Sequence, residues 1–340
     1  MKPRGQSNPP NPFIPIRVEW VGEPPSTRPE VFEDATREIL SRNDSPDVGF
    51  TYSVNPYRGC GHACAYCYAR PTHEYLGLGA GTDFDTRIVA KLRAPELLRE
   101  VFERPGWRGE RLAFSGVTDC YQPLEASLKL TRGCLEVCLA YRNPVALITK
   151  APLVERDLDL IAALAREARA SVTISLPFLD AERARALEPG AAAPERRLKT
   201  IARLAEAAIP VGVLLAPVIP GLNDEEIPRV LEAAAAAGAR KAGYILLRLP
   251  GSVRPVFEER LRRALPERAE RVLHRIRSTR GGALYDARFG HRQRGTGPHA
   301  TAVAALFEAL ARRAGLSTDL CETDAPTTFR RPRAQLELFG

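Results

Sequence analysis

Cys60, Cys64 and Cys67 stand in the pattern C-x3-C-x2-C, inside the string Asn55-Pro-Tyr-Arg-Gly-Cys-Gly-His-Ala-Cys-Ala-Tyr-Cys-Tyr68. Three thiolates so close together can wrap a cubane iron-sulfur cluster, and with no fourth cysteine nearby one iron is left without a protein ligand. An iron with an open coordination position is where chemistry happens. Gly59 and Gly61 flank the first cysteine, as a loop folded tightly around a cluster requires. His62 offers a competing Cys3His zinc site, although zinc ligands usually come as two separated pairs. Three unrelated buried thiols are the blandest alternative.

Such a loop has to be held by a scaffold. Apolar runs at 51–54, 111–117, 145–149, 172–177, 211–218 and 243–249 read as strands. Helical periodicity falls near 95–103, 127–141, 155–169, 195–208 and 224–237. Six strands alternating with helices imply an α/β fold with parallel strands and right-handed crossovers. An open doubly wound sheet and a partial barrel both satisfy this pattern. Residues 1–45, with Pro9-Pro10 and Pro24-Pro25, read as an extended Pro-rich arm. The barrel candidate spans 46–253, residues 254–316 form a helical, Arg-rich extension, and 317–340 form a flexible polar tail.

The chain of 340 residues is 44% apolar, enough for a substantial core. No run of eighteen apolar residues and no N-terminal apolar leader is present, so the expected location is the cytoplasm, with no membrane association. Reduced thiols in that compartment suit a cluster. The remaining cysteines, Cys120, Cys134, Cys138 and Cys321, form no disulfide-like framework, and Cys134 and Cys138 share a helix face where they pack. The net charge of +8 is compatible with a polyanionic partner. Between His274 and His299 lie Arg275, Arg277, Arg280, Arg288, Arg292 and Arg294, against the single acid Asp286, with Tyr285 and Phe289 among them. Arginines interleaved with aromatics suit a nucleic-acid groove, charge for phosphate and ring for base; a solvated loop has the same composition.

The cysteine motif, with Tyr66 immediately before its third cysteine, resembles the radical S-adenosylmethionine (radical SAM) enzymes. That resemblance implies a partial (β/α)6 barrel, a 4Fe-4S cluster on Cys60, Cys64 and Cys67, and a low-potential electron donor. It also implies reductive cleavage of S-adenosylmethionine (SAM) to a 5'-deoxyadenosyl radical. Active sites of barrels lie at the carboxyl ends of strands, where this chain carries its unusual residues. Thr118 and Asp119, after the second strand, are expected to accept from the SAM amino group. Lys150, after the third, would pair with its carboxylate or be solvated, and Ser175, in the fourth, would bind the ribose or a backbone carbonyl. Ala216-Pro217, in the fifth, would lie against the adenine.

Within the superfamily the chain resembles the spore photoproduct lyase-like branch over roughly residues 50–250. Cys67-Tyr68, Thr118-Asp119, Lys150, Ser175 and Ala216-Pro217 carry that likeness, and Tyr66 and Tyr68 join the cofactor-binding set. DNA repair or modification is the activity implied. The lyases' hydrogen-donor cysteine would precede Thr118, where this chain reads Gly116-Val117. Cys120 is the candidate for a relocated donor. A radical SAM enzyme acting on a peptide or small metabolite, and a non-catalytic metal-binding module, are the alternatives.

The chain ends in Gln335-Leu-Glu-Leu-Phe-Gly340 after a basic stretch. Gln335, Leu336, Leu338 and Phe339 resemble the short peptide with which bacterial repair proteins bind the DNA sliding clamp. A glutamine and apolar anchors on a basic tether suit such a groove. The same side chains could instead dock on the protein's own core.

Overall fold

A computed structural model describes residues 6–14, 29–319 and 326–332. Its strands are β1 (Glu30–Glu33), β2 (Leu40–Arg42), β3 (Tyr52–Val54), β4 (Tyr57–Arg58), β5 (Arg87–Ala90), β6 (Leu112–Phe114), β7 (Val145–Thr149), β8 (Ala170–Ser175), β9 (Val211–Val218) and β10 (Lys241–Leu246). The main sheet runs β10-β9-β8-β7-β6-β3-β2, with β2 antiparallel to β3 and every other pair parallel. The six parallel strands therefore follow one another in chain order, each joined to the next by a helical crossover. This is the partial (β/α)6 arrangement, and all six strands expected from sequence are in it.

The helices form because their apolar residues recur at one-turn spacing. Helix Ala94–Glu103 buries Ala94, Leu97, Leu98, Val101 and Phe102 on one face, and helix Ile227–Ala236 buries Ile227, Val230, Leu231 and Ala234. β9 is buried along nearly its whole length, as expected of a parallel strand covered on both faces. Each of its fully buried Val and Leu side chains contributes about 1.5–3 kcal/mol. A second apolar cluster joins Cys64, Ala65 and Tyr66 to Leu187, Leu247, Leu249 and Phe257, so the cysteine loop is itself part of a core.

Two segments show contacts the sequence reading did not specify. The Pro-rich arm contains β1, which pairs with β5 in a small sheet, and β2, which extends the main sheet. Both are short and largely exposed, so neither carries an apolar alternation. Within the polar tail, Phe329 packs on Phe102 and Tyr141 at centroid distances of 5.6 and 6.2 Å, and Arg331 Nε donates to the Phe102 carbonyl at 2.9 Å. Gln335, Leu336, Leu338, Phe339 and Cys321 lie outside the described residues. No helix among the described residues is long and apolar enough to cross a membrane.

Candidate active site

The cysteine loop leaves β3 and β4 at the carboxyl edge of the main sheet. Gly59 has φ +78°, and a Cβ there would meet the His73 ring and the Phe84 carbonyl at 2.9 Å, so glycine is required. Gln122 fastens both sides of Cys60: its Oε1 accepts from Gly61 N at 3.1 Å and its Nε2 donates to the Gly59 carbonyl at 3.1 Å. Arg70, fully buried, donates Nε and Nη2 to the Cys64 carbonyl at 3.0 and 2.8 Å. Its Nη2 also meets Asp85 Oδ1 at 2.8 Å, and its Nη1 donates to the carbonyls of Ala80 and Gly81. One guanidinium thus ties the loop to the following turn.

The other side of the loop rests on a turn after β8. Asp180 caps helix Ala181–Leu187 by accepting from the N–H groups of Glu182 and Arg183. That helix ends at Glu188, where Ala65 N donates to the Leu187 carbonyl at 2.9 Å and Gly190 N to the His62 carbonyl at 3.0 Å. A Cβ on Gly190 would overlap the Gly61 carbonyl oxygen, so loop and turn are in backbone contact.

Cys60, Cys64 and Cys67 are free thiols. Burial pushes all three above the ordinary thiol value; Asp119 and the other two thiols add to the effect at Cys60, while Arg70 opposes it at Cys67. Iron would reverse this, because a coordinated thiol is deprotonated outright. Among the described residues no three His, Cys, Asp or Glu side chains gather to hold a single ion. Thiolates that each take a different iron of a cubane need no such convergence, and His62 instead turns Nδ1 to Asp119 Oδ2 at 3.3 Å. The three thiols, the tight glycine turn and the buried staple fit a cluster.

Asp119 is fully engaged. Oδ1 accepts from Thr149 Oγ1 at 2.7 Å and Tyr121 N at 2.9 Å, and Oδ2 accepts from Lys150 N at 2.8 Å as well as facing His62. Burial alone would raise its carboxyl, but His62, the Lys150 N–H and the Thr149 hydroxyl hold it below the usual carboxylate range. The Thr118 hydroxyl donates to the Tyr57 carbonyl at 2.7 Å. The pair expected to meet the SAM amino group therefore spends these atoms on the protein, binding the ends of β6 and β7 to the cysteine loop.

Lys150, Ser175, Ala216 and Tyr66 come together. Lys150 Nζ donates to Ser175 Oγ at 2.6 Å, which in turn donates to the Ala216 carbonyl at 3.3 Å, and Nζ lies 5.6 Å from the centroid of the Tyr66 ring. At their centre is Glu188, wholly buried. Its Oε1 is 3.2 Å from Lys150 Nζ and accepts from the Tyr66 hydroxyl, while its Oε2 pairs with Arg197. Arg197 Nη1 donates to the Ser175 carbonyl at 3.0 Å. Burial brings the Lys150 ammonium down to about 8, against the pull of the neighbouring Cys64.

Sequence reading missed Glu188, Arg197 and Arg70. One signal was present: an acid at the carboxyl end of helix Ala181–Leu187 opposes the helix dipole, so other charges have to hold it there. Cys120 packs in the main core at 1% exposure, with burial raising its thiol. Cys134 and Cys138 lie in the same core.

The arginine-rich segment connects helix Pro266–Ser278 to helix Gly297–Arg313 and is fastened to the end of β10. Leu246 N donates to the Gln293 carbonyl at 2.8 Å, and buried Arg280 donates to the carbonyls of Leu247, His291 and Arg292. Arg292 pairs with Asp47 and covers the Phe289 ring at 4.4 Å, Arg288 pairs with Asp286 at 2.7 Å, and Arg294 lies 4.6 Å over Tyr244. Arg275, Arg277, Arg288, Arg294 and Phe289 are exposed. Tyr68 donates to the Gly116 carbonyl at 2.7 Å and carries Arg248 over its ring.

An open parallel (β/α)6 sheet with a three-cysteine loop at its carboxyl edge defines a class of cluster enzyme. The chain belongs to the radical SAM superfamily, whose model matches residues 54–234, and it is an enzyme of that class. Membership implies SAM and a 4Fe-4S cluster. An uncharacterized protein of Mycobacterium tuberculosis is 40% identical over 263 residues, covering 75% of this chain and 77% of the relative. An uncharacterized protein of Methanocaldococcus jannaschii is 29% identical over 184 residues, covering 54% and 66%. Among solved structures, spore photoproduct lyase complexed with dinucleoside spore photoproduct matches with a TM-score of 0.59 at 17% identity, over 85% of this chain and 81% of that one. A spore photoproduct lyase variant with bound AdoMet and the same dinucleoside matches at 0.58. At this identity the structural likeness establishes a shared fold.

Proposed function

We propose that this protein cleaves SAM reductively at a 4Fe-4S cluster on Cys60, Cys64 and Cys67 and acts on nucleic acid, in DNA repair or modification. When bound, the cluster supplies one electron to the sulfonium, so that the adenosyl carbon can take a hydrogen atom from the substrate. In this reading Lys150 meets the SAM carboxylate and Ser175 the ribose, with Glu188 and Arg197 fixing both. Asp119 works through His62 and the Lys150 N–H, Thr118 holds the loop through Tyr57, Tyr66 braces Glu188, and the Ala216 backbone lies against adenine. A base in duplex would have to leave the stack to be reached.

The observation that carries the nucleic-acid reading is the attachment of the arginine-rich segment to the end of β10, beside the cysteine loop, with Arg288, Arg294 and Phe289 exposed. Charge and ring at the rim of the site suit phosphate and base. The chain has Gly116-Val117 where the lyases place their donor cysteine, and Cys120, one residue after Asp119, is the candidate for a relocated donor. Cytoplasmic location, a low-potential electron donor, and recruitment to a sliding clamp through Gln335, Leu336, Leu338 and Phe339 complete the proposal. DNA affinity measured across salt concentrations tests it: Arg288→Gln with Arg294→Gln should flatten the salt dependence. Negligible affinity of the wild-type protein would favour a peptide or small-metabolite substrate.

A further inference from the structure

Arg248 occupies an unusual position. It follows β10 between Leu247 and Leu249, both buried in the apolar cluster that also holds Cys64 and Tyr66. Its own side chain is half-buried and passes to the cysteine loop, where Cζ lies 5.7 Å from the centroid of Tyr68, the residue after Cys67. Tyr68 is 46% exposed, and its hydroxyl is fixed on the Gly116 carbonyl, so the ring is a held platform rather than a loose side chain. Among the described residues, Arg248 Nε is buried with no hydrogen-bond partner. A guanidinium donor shut off from water without an acceptor is a costly arrangement unless a ligand completes it.

Among the described residues, the acids around Arg248 are already engaged. Asp47, the carboxylate whose charge Arg248 reaches, accepts from Gly290 N and pairs with Arg292. Asp286 is taken by Arg288, and Arg280, also within reach of the Arg248 charge, spends its donors on backbone carbonyls. Among the described residues, the guanidiniums of Arg248, Arg280, Arg288 and Arg292 thus face the carboxylates of Asp47 and Asp286, and Arg248 is the one of them over the Tyr68 ring of the cysteine loop.

We propose that Arg248, placed over the Tyr68 ring, receives a phosphodiester oxygen of the substrate and so sets which nucleotide enters the site. A guanidinium suits this role, because its planar fork of N–H donors matches a phosphate oxyanion while the nearby ring favours its charge. The inference rests on the nucleic-acid reading above and adds to it the residue that positions the strand against the cysteine loop.

The test is fluorescence anisotropy of a labelled single-stranded DNA with the anaerobically reconstituted protein across a series of salt concentrations. Arg248→Gln should weaken binding and lower the slope of log affinity against log salt by about one. Arg248→Lys, which keeps the charge, should retain the slope. Arg313→Gln removes an equal charge from an exposed pair with Glu232 and should leave both affinity and slope as they were. A wild-type protein that binds DNA while Arg248→Gln keeps the wild-type slope overturns this inference alone. A wild-type protein without DNA affinity overturns it together with the nucleic-acid reading.

Discussion

Glu188 Oε1 lies 3.2 Å from Lys150 Nζ, and the same carboxylate joins Tyr66 of the cysteine loop to Arg197 on helix Pro194–Glu206. One buried acid therefore connects the cluster loop to the strand ends assigned here to SAM. Glu188→Ala would leave two buried cations without a counter-ion, a loss of about 3–5 kcal/mol. Glu188→Gln, which retains the shape, should cost less. Urea unfolding measures both, and equal stability of the alanine variant and wild type would contradict the placement.

Arg70 makes a second prediction. Four of its five donors satisfy carbonyls of the cysteine loop and the following turn, and the fifth pairs with Asp85 at 2.8 Å. Arg70→Met leaves Asp85 and the Cys64 carbonyl unpaired and should destabilise the chain by about 3–5 kcal/mol. The loop would then hold its thiols less firmly, so iron content after reconstitution and gel filtration should fall below wild type. Full iron retention would show that the staple is dispensable for the cluster.

How much of this could be read from sequence follows from how local each feature is. The strands from β3 to β10 that build the main sheet and the helices between them announce themselves through apolar period, because each buries a continuous face. The cysteine motif is equally local. β1 and β2 are not legible, since exposed edge strands need no apolar alternation. Glu188, Arg197 and Arg70 look like ordinary surface charges in the sequence; only the crossovers that bring β8 beside β7 and fold the loop onto the turn after β8 reveal them as buried. Arg280 is the reverse case, an arginine read as part of a phosphate-binding loop that spends itself on backbone carbonyls.

Asp119 gives a pH dependence. Its folded carboxyl sits below the ordinary value of 3.8. The unfolded chain therefore takes up the proton first, and the stabilisation is complete above about 3.8 and lost as pH falls through the folded value. Asp119→Asn should be less stable at neutral pH and lose less on acidification than wild type. Urea midpoints from pH 7 down to pH 3 report this, and parallel acid limbs would count against the four-partner geometry.

Gly116 has no room for a side chain. A Cβ at this position would stand 2.5 Å from Ser53 Oγ and 2.6 Å from Ser53 Cβ. Gly116→Cys should cost about 1–3 kcal/mol through overpacking, and adding Ser53→Gly should restore most of it. A stable single variant, seen in thermal unfolding, would show that the strand ends can spread.

The central claim is tested most directly by anaerobic reconstitution with iron and sulfide, reduction, addition of SAM, and chromatography for 5'-deoxyadenosine, beside a Cys64→Ala control. Product that depends on Cys64 is the predicted result. A cluster that forms and is reduced, yet yields no 5'-deoxyadenosine with or without DNA, would contradict it.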